Sequence, residues 1–600
     1  MLEKVDFPTD LKKLSPKQLI ILAKDIRQFL LEKVSESGGH LASNLGVVEL
    51  TIALHKFLDC PKDSLIWDVG HQSYVHKILT GRKKFFKTLR KKGGLSGFPD
   101  PAESKYDLFK TGHASTSISM AMGIAETNQK LGRKNRVVAV IGDGSFTGGL
   151  ALSAINQIGY LQTKMIIIMN DNRMSIAENV GALSLYTKRI EKTKTYQEVK
   201  KNIDRLIASC SSDNTAYLKN ISKLKKAFKQ VGTPGLLFEK LGVHYIGPID
   251  GHSISEMTKA LKRAENYPGP VLIHARTIKG MGYFPAEERA EKFHGVSPFI
   301  LENGDSQKKA QTKSFTDIFG ETVLELAKKN PKIIGITAAM PSGTGLNMLA
   351  NTLPEQFFDV GICEDHAVTF AAGMARNGFL PVVAVYSTFL QRALDQIIQD
   401  VCLQNLPVVF AIDRAGIVGE DGPTHHGVFD ISFLRFIPNL VLMAPRDGIE
   451  LAMMLKFAFE LKRPVAIRYP RGSAENELMN SDLMPIVLGK AELIKKGKKK
   501  VIISLGNQIE KALRMAKKSP DCAVYNARFI KPLDQKLISA IKLADEAIIL
   551  EENVKAGGFG SAILEELAKK NIKTKIKLIG IEDRFIEHGD SRELRKQYLK

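Results

Sequence analysis

Arg136 to Asn179 reads RVVAVIGDGSFTGGLALSAINQIGYLQTKMIIIMNDNRMSIAEN, and this stretch decides the fold. Val137 to Ile141 are consecutive apolar, mostly β-branched residues. They break at Gly142-Asp143-Gly144, helical spacing follows, and a second apolar run, Met165 to Met169, ends at Asn170-Asp171-Asn172. That order predicts strand, glycine-rich turn, helix, strand. In a right-handed βαβ unit the two strands run parallel, so Asp143 and Asn172 fall just past the carboxyl ends of neighbouring strands. A carboxylate and an amide oxygen are hard ligands of the kind Mg²⁺ takes together with phosphate oxygens. The glycines let backbone N–H groups approach an anion, and the helix N-terminus that follows favours negative charge. A lone GDG is weak and fits a buried turn that binds nothing. Its pairing with NDN across one unit is what points to a Mg²⁺-diphosphate site.

Around this stretch, 600 residues of ordinary globular composition predict three or four domains. The five cysteines, Cys60, Cys210, Cys363, Cys402 and Cys522, are scattered, with no CxxC pair. That argues against a disulfide framework or a zinc site and for a reducing compartment. No apolar run reaches membrane-spanning length, and MLEKVDFPTDLKK lacks the order of a signal peptide, so the cytoplasm is the expected location. The net charge of +22 raises nucleic-acid binding as a rival reading, but the lysines are dispersed or lie in short patches such as Lys495 to Lys500 without interleaved aromatics. An enzyme of anionic metabolites explains the charge better, because net charge speaks to partners and solubility and not to fold.

Towards the N-terminus, Ser15-Pro16 reads as a cap and first-turn proline of a helix. Gly38-Gly39-His40 follows it. Ser64 to Asp68 is strand-like and ends at Gly70-His71, and Tyr106 to Phe109 followed by Gly112-His113-Ala114 repeats that arrangement. A histidine at one such turn is ordinarily structural; the recurrence of His40, His71 and His113 suggests function. Residues Thr187 to Lys229 are lysine-rich with little β character and read as surface helices or a lid. Beyond Gly242 to His252 and the strand Val271 to Ala275 comes Thr277 to Tyr283, then another loop histidine, His294.

Glu302 to Thr312 is polar and breaker-rich and marks a boundary. Strand and helix then alternate again through Val465 to Tyr469, and a shift near Pro485 to Lys500 introduces a smaller α/β unit. In the middle part Glu364 stands at a helix entry; apolar walls such as Phe370, Tyr386 and Phe389 would raise its pKa and make it a proton donor. Arg414, in a loop after a strand, and Arg471 present guanidinium forks that suit a phosphate.

These residues, with GGHLASNLGVVELT, DVGHQ, GHASTSIS, IGDGSFTGG, NDNRMSI, GPIDGH, VYSTFLQRALDQ, DRAGIVGEDGPTHHG, RYPRG and FIEHG, resemble the thiamine-diphosphate-dependent transketolase-like enzymes, and within them the 1-deoxy-D-xylulose-5-phosphate synthase family. The resemblance spans the chain and implies an α/β protein of three doubly wound, Rossmann-like domains. Residues 1–308 would bind diphosphate and Mg²⁺, 309–485 the pyrimidine, and 486–600 would form a smaller C-terminal transketolase-type domain. It implies a homodimer that condenses pyruvate, with loss of CO₂, and D-glyceraldehyde 3-phosphate, opening the non-mevalonate isoprenoid route and supplying precursor for thiamine and pyridoxal. Asp143, Asn172 and the carbonyl of Met174 would hold Mg²⁺. His71, Gly112, His113, Ala114, Gly144, Ser145, Asn172 and Tyr283 would line thiamine diphosphate, with Phe389 stacked on its aminopyrimidine and Glu364 hydrogen-bonded to a ring nitrogen. His40, His71, His294, Asp421 and His425 would serve proton transfer and hydroxyl binding, and Tyr386, Arg414 and Arg471 the phosphorylated substrate. Two departures stand out: Asp365 replaces the usual Gln beside Glu364, and Glu287-Glu288-Arg289 lacks an expected lysine. A transketolase or a two-oxo-acid decarboxylase component is the nearest alternative; a nucleic-acid-associated protein with an inactive enzyme fold is the more distant one.

Overall fold

A computed structural model describes residues 1–174, 180–182, 235–307, 312–474 and 484–600. The lysine-rich stretch Thr187 to Lys229, Cys210 and the end of the opening motif after Met174 lie outside the described residues. The chain forms two compact units, Met1–Leu89 with Gly97–Gln307, and Arg90–Ser96 with Lys308–Lys600.

The first unit is built on β1 (Ser64–Trp67), β2 (Val137–Gly142), β3 (Ile166–Asp171), β4 (His244–Asp250) and β5 (Val271–Arg276), all parallel in the order β1-β2-β3-β5-β4. Both faces are covered. Val137, Ala139 and Ile141 pack with Ile118, Ile155 and Ile158, while Val138 and Val140 pack with Leu50, Leu54 and Trp67 on the other face. A strand buried on both sides needs an unbroken apolar run, which is what the sequence shows. Gly142 pairs with Asn170, so Asp143 and Asn172 leave the same sheet edge from adjacent strands, as the βαβ reading requires. The expected turn at Gly142-Asp143-Gly144 is tighter than a loop: a short helix, Asp143–Phe146, starts directly on β2, and Gly149–Leu161 continues it after a break. Ser15 caps the helix Pro16–Ser37, its hydroxyl accepting from the Gln18 N–H while the Gln18 side chain accepts from the Ser15 N–H.

The second unit carries two sheets. Six parallel strands, β6 (Ile333–Thr337), β7 (Phe357–Asp359), β8 (Leu380–Tyr386), β9 (Val409–Asp413), β10 (Val441–Met443) and β11 (Val465–Arg468), follow in chain order. The last sheet takes β12 (Glu492–Lys495), β13 (Lys500–Ser504), β14 (Cys522–Asn526), β16 (Glu546–Val554) and β17 (Lys575–Ile581), with β12 antiparallel. Between them β15 (Phe529–Lys531) leaves its own sheet to pair antiparallel with β10, joining the two layers. Neither β12 nor β15 was legible as a strand. Cys60, Cys363, Cys402 and Cys522 carry thiols, and no described helix is long and apolar enough to cross a membrane.

One expectation fails in the first unit: Tyr106 to Phe109 is not a strand. Asp107 is instead the centre of a buried ionic cluster. Its carboxylate accepts from both Arg82 guanidinium nitrogens at 2.5 and 2.8 Å, from the Asp100 N–H at 2.8 Å and from His76 Nε2 at 2.8 Å. A backbone that must deliver a charge to this point does not run in a ladder. His76 Nδ1 lies 2.8 Å from His55 Nε2, so with His76 donating to Asp107 the His55 Nε2–H donates to His76, and His55 Nδ1 is a buried acceptor with no partner among the described residues. Burial, with the nearby Arg82, holds both imidazoles below their ordinary range. The unfolded chain takes up protons there below about pH 6.5 while the folded one resists them, so this contribution to stability is complete above that pH and is lost as pH falls through it. Thermal unfolding from about pH 8 to about pH 5.5 should show that loss, and His55→Gln, which keeps a donor to His76, should flatten it. Equal slopes in the two proteins would exclude His55 as a source.

Candidate functional site

In the first unit the loops at the carboxyl edge of the sheet bring three predicted histidines together. Ring centroids of His71 and His294 lie 4.9 Å apart, and His40 lies 5.9 Å from His71 and 6.1 Å from His294. Asn44, which sequence reasoning passed over, fixes two of them. Its buried amide donates to the His40 carbonyl at 2.6 Å and the His71 carbonyl at 2.7 Å, and accepts from the Tyr74 N–H at 2.7 Å. The Tyr74 hydroxyl closes the set on the His40 N–H (3.2 Å) and Nδ1 (3.3 Å).

The turn Gly112-His113-Ala114 is held by another unforeseen residue. Asp68, just past β1, accepts from the Ser115 N–H at 2.9 Å and the Ser117 N–H at 3.0 Å, at the start of the helix Ser117–Lys130. The Ser115 hydroxyl donates to the Ser145 carbonyl at 2.7 Å, which ties this turn to the Gly144-Ser145 turn. A carboxylate at the end of a predicted strand was the available signal for Asp68.

Asp143 opens its short helix with its carboxyl buried, and burial together with the Asp171 carboxylate pushes its pKa well above the usual range. Asp171 goes the other way: burial would raise it, but His274 Nε2 at 2.7 Å holds it ionised. Asn172 folds the chain back, its side-chain oxygen accepting from the Met174 N–H at 3.1 Å, with Arg173 left-handed at φ 64°. Lys279 completes the surroundings: buried, it feels Asp143 and Glu291, and burial brings its ammonium down to about 8. Crowded hard oxygen donors beside a buried ammonium fit Mg²⁺ with an anionic diphosphate, because a divalent cation reverses the electrostatics that protonate Asp143. The Tyr283 hydroxyl donates to the Leu301 carbonyl at 2.7 Å and its ring packs edge-on against Phe293, the residue before His294.

In the second unit Glu364 is the first residue of the helix Glu364–Arg376 and is 3% exposed. Burial raises its pKa; Arg392, 3.5 Å away, opposes that, and Asp365 adds a smaller push upward. Of the expected apolar walls, Tyr386 and Phe389 stack on each other at 5.8 Å, whereas Phe370 packs on Phe358 and His366. The Phe389 ring also meets His425 edge-on at 5.6 Å, and the Arg414 guanidinium lies 3.8 Å over the Tyr386 ring. Burial pushes the Tyr386 hydroxyl up to about 12 and the His425 imidazole below its ordinary range. Thr388 donates to the Thr424 carbonyl at 2.9 Å, so the helical turn bearing Phe389 and the loop bearing His425 are fastened together. Asp421 accepts from Arg90 at 2.7 Å, and Arg471, half exposed, reaches Glu420 at 3.4 Å. Arg90 and Arg392 were not foreseen; arginines remote in sequence or on a helix carry no local signal.

Comparison with known proteins gives the chain's family. Residues 2–277 match the family model described as 1-deoxy-D-xylulose-5-phosphate synthase, 311–476 the transketolase pyrimidine binding domain, and 489–599 the transketolase C-terminal domain. The chain is 52% identical to the 1-deoxy-D-xylulose-5-phosphate synthase of Carboxydothermus hydrogenoformans, over 100% of this chain and 97% of that one. It is 50% identical to that of Halothermothrix orenii, over 99% and 95%. Among solved structures, a transketolase from Campylobacter jejuni aligns over 97% of this chain and 98% of its own at 20% identity, with a TM-score of 0.41. Identity of this extent over at least 95% of each chain shows that the chain belongs to the 1-deoxy-D-xylulose-5-phosphate synthase family.

Proposed function

We propose that this protein condenses pyruvate with D-glyceraldehyde 3-phosphate, releasing CO₂ and forming 1-deoxy-D-xylulose 5-phosphate, the reaction that opens the non-mevalonate isoprenoid route and feeds thiamine and pyridoxal synthesis. The observation that carries this is half-identity over the entire chain to relatives named for that synthase activity. Enzymes of this family depend on thiamine diphosphate and Mg²⁺. When bound, thiamine diphosphate supplies the electron sink for decarboxylation and carbon–carbon bond formation; the protein supplies binding, orientation and proton management.

Asp143, Asn172 and the Met174 carbonyl would hold Mg²⁺, supported by the oxygen donors that gather at the neighbouring ends of β2 and β3. His71, the Gly112-His113-Ala114 turn, Gly144, Ser145 and Tyr283 would line the cofactor, and Phe389 would stack on its aminopyrimidine. Glu364 would hydrogen-bond a ring nitrogen of that pyrimidine; burial, which favours its protonated form, supports a donor role there. His40, His71, His294, His425 and Asp421 would move protons and bind hydroxyls. Arg414 and Arg471 would take the acceptor's phosphate with Tyr386 beneath Arg414, which suits a planar guanidinium stacked on a ring. The reading includes a homodimer, a cytoplasmic location consistent with the scattered thiols, and domains spanning 1–308, 309–485 and 486–600, supported by the three family matches.

The direct test supplies pyruvate with several aldehydes and identifies the product by mass. Release of CO₂ should require thiamine diphosphate, Mg²⁺ and pyruvate, with glyceraldehyde 3-phosphate the preferred acceptor. Turnover with a ketose donor and none with pyruvate would make the protein a transketolase. Glu364→Gln should bind metal and cofactor normally while losing about a hundredfold or more in turnover; a near-normal rate would remove Glu364 from the mechanism. For Asp143→Asn, calorimetric titration with the cofactor in the presence of Mg²⁺ should show affinity weakened by about a hundredfold. Unchanged affinity there would mean that the metal is held elsewhere.

A further inference from the structure

The loop Arg414–Gly427 carries Arg414, Asp421 and His425, and its base is closed by reciprocal backbone bonds between Gly416 and Gly427 at 2.6 and 2.8 Å. Past that closure the next peptides turn outward and find partners in the C-terminal layer. The Ile417 N–H donates to Glu552 Oε1 at 2.7 Å, and the Ile417 carbonyl accepts from Arg595 at 2.9 Å. Arg595 Nε also donates to that same Glu552 oxygen at 2.7 Å. The other carboxylate oxygen accepts from Asn507 at 2.9 Å and Gln508 at 3.1 Å. One residue on, the Val418 N–H donates to His426 Nδ1 at 3.0 Å, and His426 Nε2 donates to the Glu587 carbonyl at 3.1 Å. The Gly589 N–H reaches the Gly419 carbonyl at 3.3 Å.

The approach is close enough to constrain the sequence. Gly416 has φ 82°, and a Cβ there would stand 2.6 Å from the Glu552 carboxyl carbon. A carboxylate is costly to bury unless its oxygens are filled, and here both are filled, one by the backbone of a single loop residue and the cation that brackets it. Such a pairing is rigid. Glu552 and Arg595 touch neither Arg414 nor Asp421, yet they fix the peptide only three and four residues from them.

We propose that Glu552 and Arg595 are positioning residues of the C-terminal layer that set the shape of the loop Arg414–Gly427 and thereby its grip on the phosphorylated aldehyde. This rests on the reading of Arg414 as a ligand of the acceptor's phosphate.

The test is steady-state kinetics of the enzyme loaded with thiamine diphosphate and Mg²⁺, varying pyruvate and glyceraldehyde 3-phosphate separately, for Glu552→Gln, Arg595→Gln, Arg414→Ala and the double variant R414A/R595Q. Arg595 lies on the last helix with its side chain 24% exposed, and a Gln there keeps an N–H donor for the buried Glu552, so Arg595→Gln is the milder of the two clamp variants, and a melting curve for each separates loss of fold from loss of positioning. Either clamp variant should raise KM for glyceraldehyde 3-phosphate about tenfold, since small misplacements of a binding group are expensive. KM for pyruvate should stay within about twofold. In the double variant, Arg595→Gln should add nothing to the effect of Arg414→Ala, because both act through one group. Equal losses for both substrates, or additive effects in the double variant, would overturn the proposal. An unchanged acceptor KM in Arg414→Ala alone would instead show that the phosphate reading has failed, and the proposal would fall with it.

Discussion

Two carboxylates meet at the ends of β2 and β3, and much of the first unit answers their repulsion. Buried like charges cannot both ionise without a cation or a proton. The sheet resolves the conflict asymmetrically. Asp171, on β3, is hydrogen-bonded to His274 of β5, whose other ring nitrogen lies 2.7 Å from the hydroxyl of Tyr245 on β4. Because the strand order is β3-β5-β4, this relay runs across neighbouring strands and keeps Asp171 charged. The burden of protonation falls on Asp143. A divalent cation is the alternative way to balance that charge, and the buried Lys279 ammonium nearby suits the anion such a cation would carry.

The second unit solves a different problem, that of holding long loops still. Its sheet ends in helix starts bearing Glu364 and Phe389 and in a long loop bearing Arg414 and His425, and loops alone are poor scaffolds for chemistry. The C-terminal layer contributes rigidity. β15 crosses over to extend the neighbouring sheet, and beside it a buried ionic network knits the layers: Arg528 donates to Glu450 at 2.6 Å, Asn526 to the same carboxylate at 2.9 Å, and Arg446 pairs with both Asp447 and Glu492. Networks of this kind add little net stability, because desolvation of the charges offsets their attraction, but breaking one partner is costly, so the layers stay joined.

How far the sequence reveals this depends on the range of the interaction. Apolar runs bounded by glycine and Asx residues are local, so β2, β3 and most other strands could be read directly, as could the capped helix beginning at Pro16. The parallel pairing that sets Asp143 and Asn172 side by side follows from the handedness of βαβ units and needed no alignment. Tyr106 to Phe109 deceived because its apolar residues serve the core while Asp107 between them serves Arg82 and His76, partners two dozen or more residues away. Asn44, Arg392 and Glu552 were invisible for the same reason. Each acts through hydrogen bonds to backbone or charges distant in sequence, and an Asn in a helix or a Glu at the end of a strand has no signature of its own.

The two departures from the family pattern take on physical meaning in this light. Asp365 adds a carboxylate beside Glu364, yet it lies partly exposed and accepts from the His366 N–H at 2.8 Å, so solvent and backbone absorb most of its charge. Both acids occupy the first turn of the helix Glu364–Arg376, where the dipole favours negative charge. Protonation of Glu364 is therefore governed by the contest between burial and Arg392, with Asp365 a minor weight, and an Asp at this position is electrostatically cheap. The charged run without the expected lysine is tied to the loop before it. Glu287, in the charged run, accepts from the Gly282 N–H at 2.7 Å and braces the loop that begins with Thr277, and that loop carries Lys279 inward to within the field of Asp143. Lys279 is buried three residues past the end of β5, whereas the run at 287–289 is exposed.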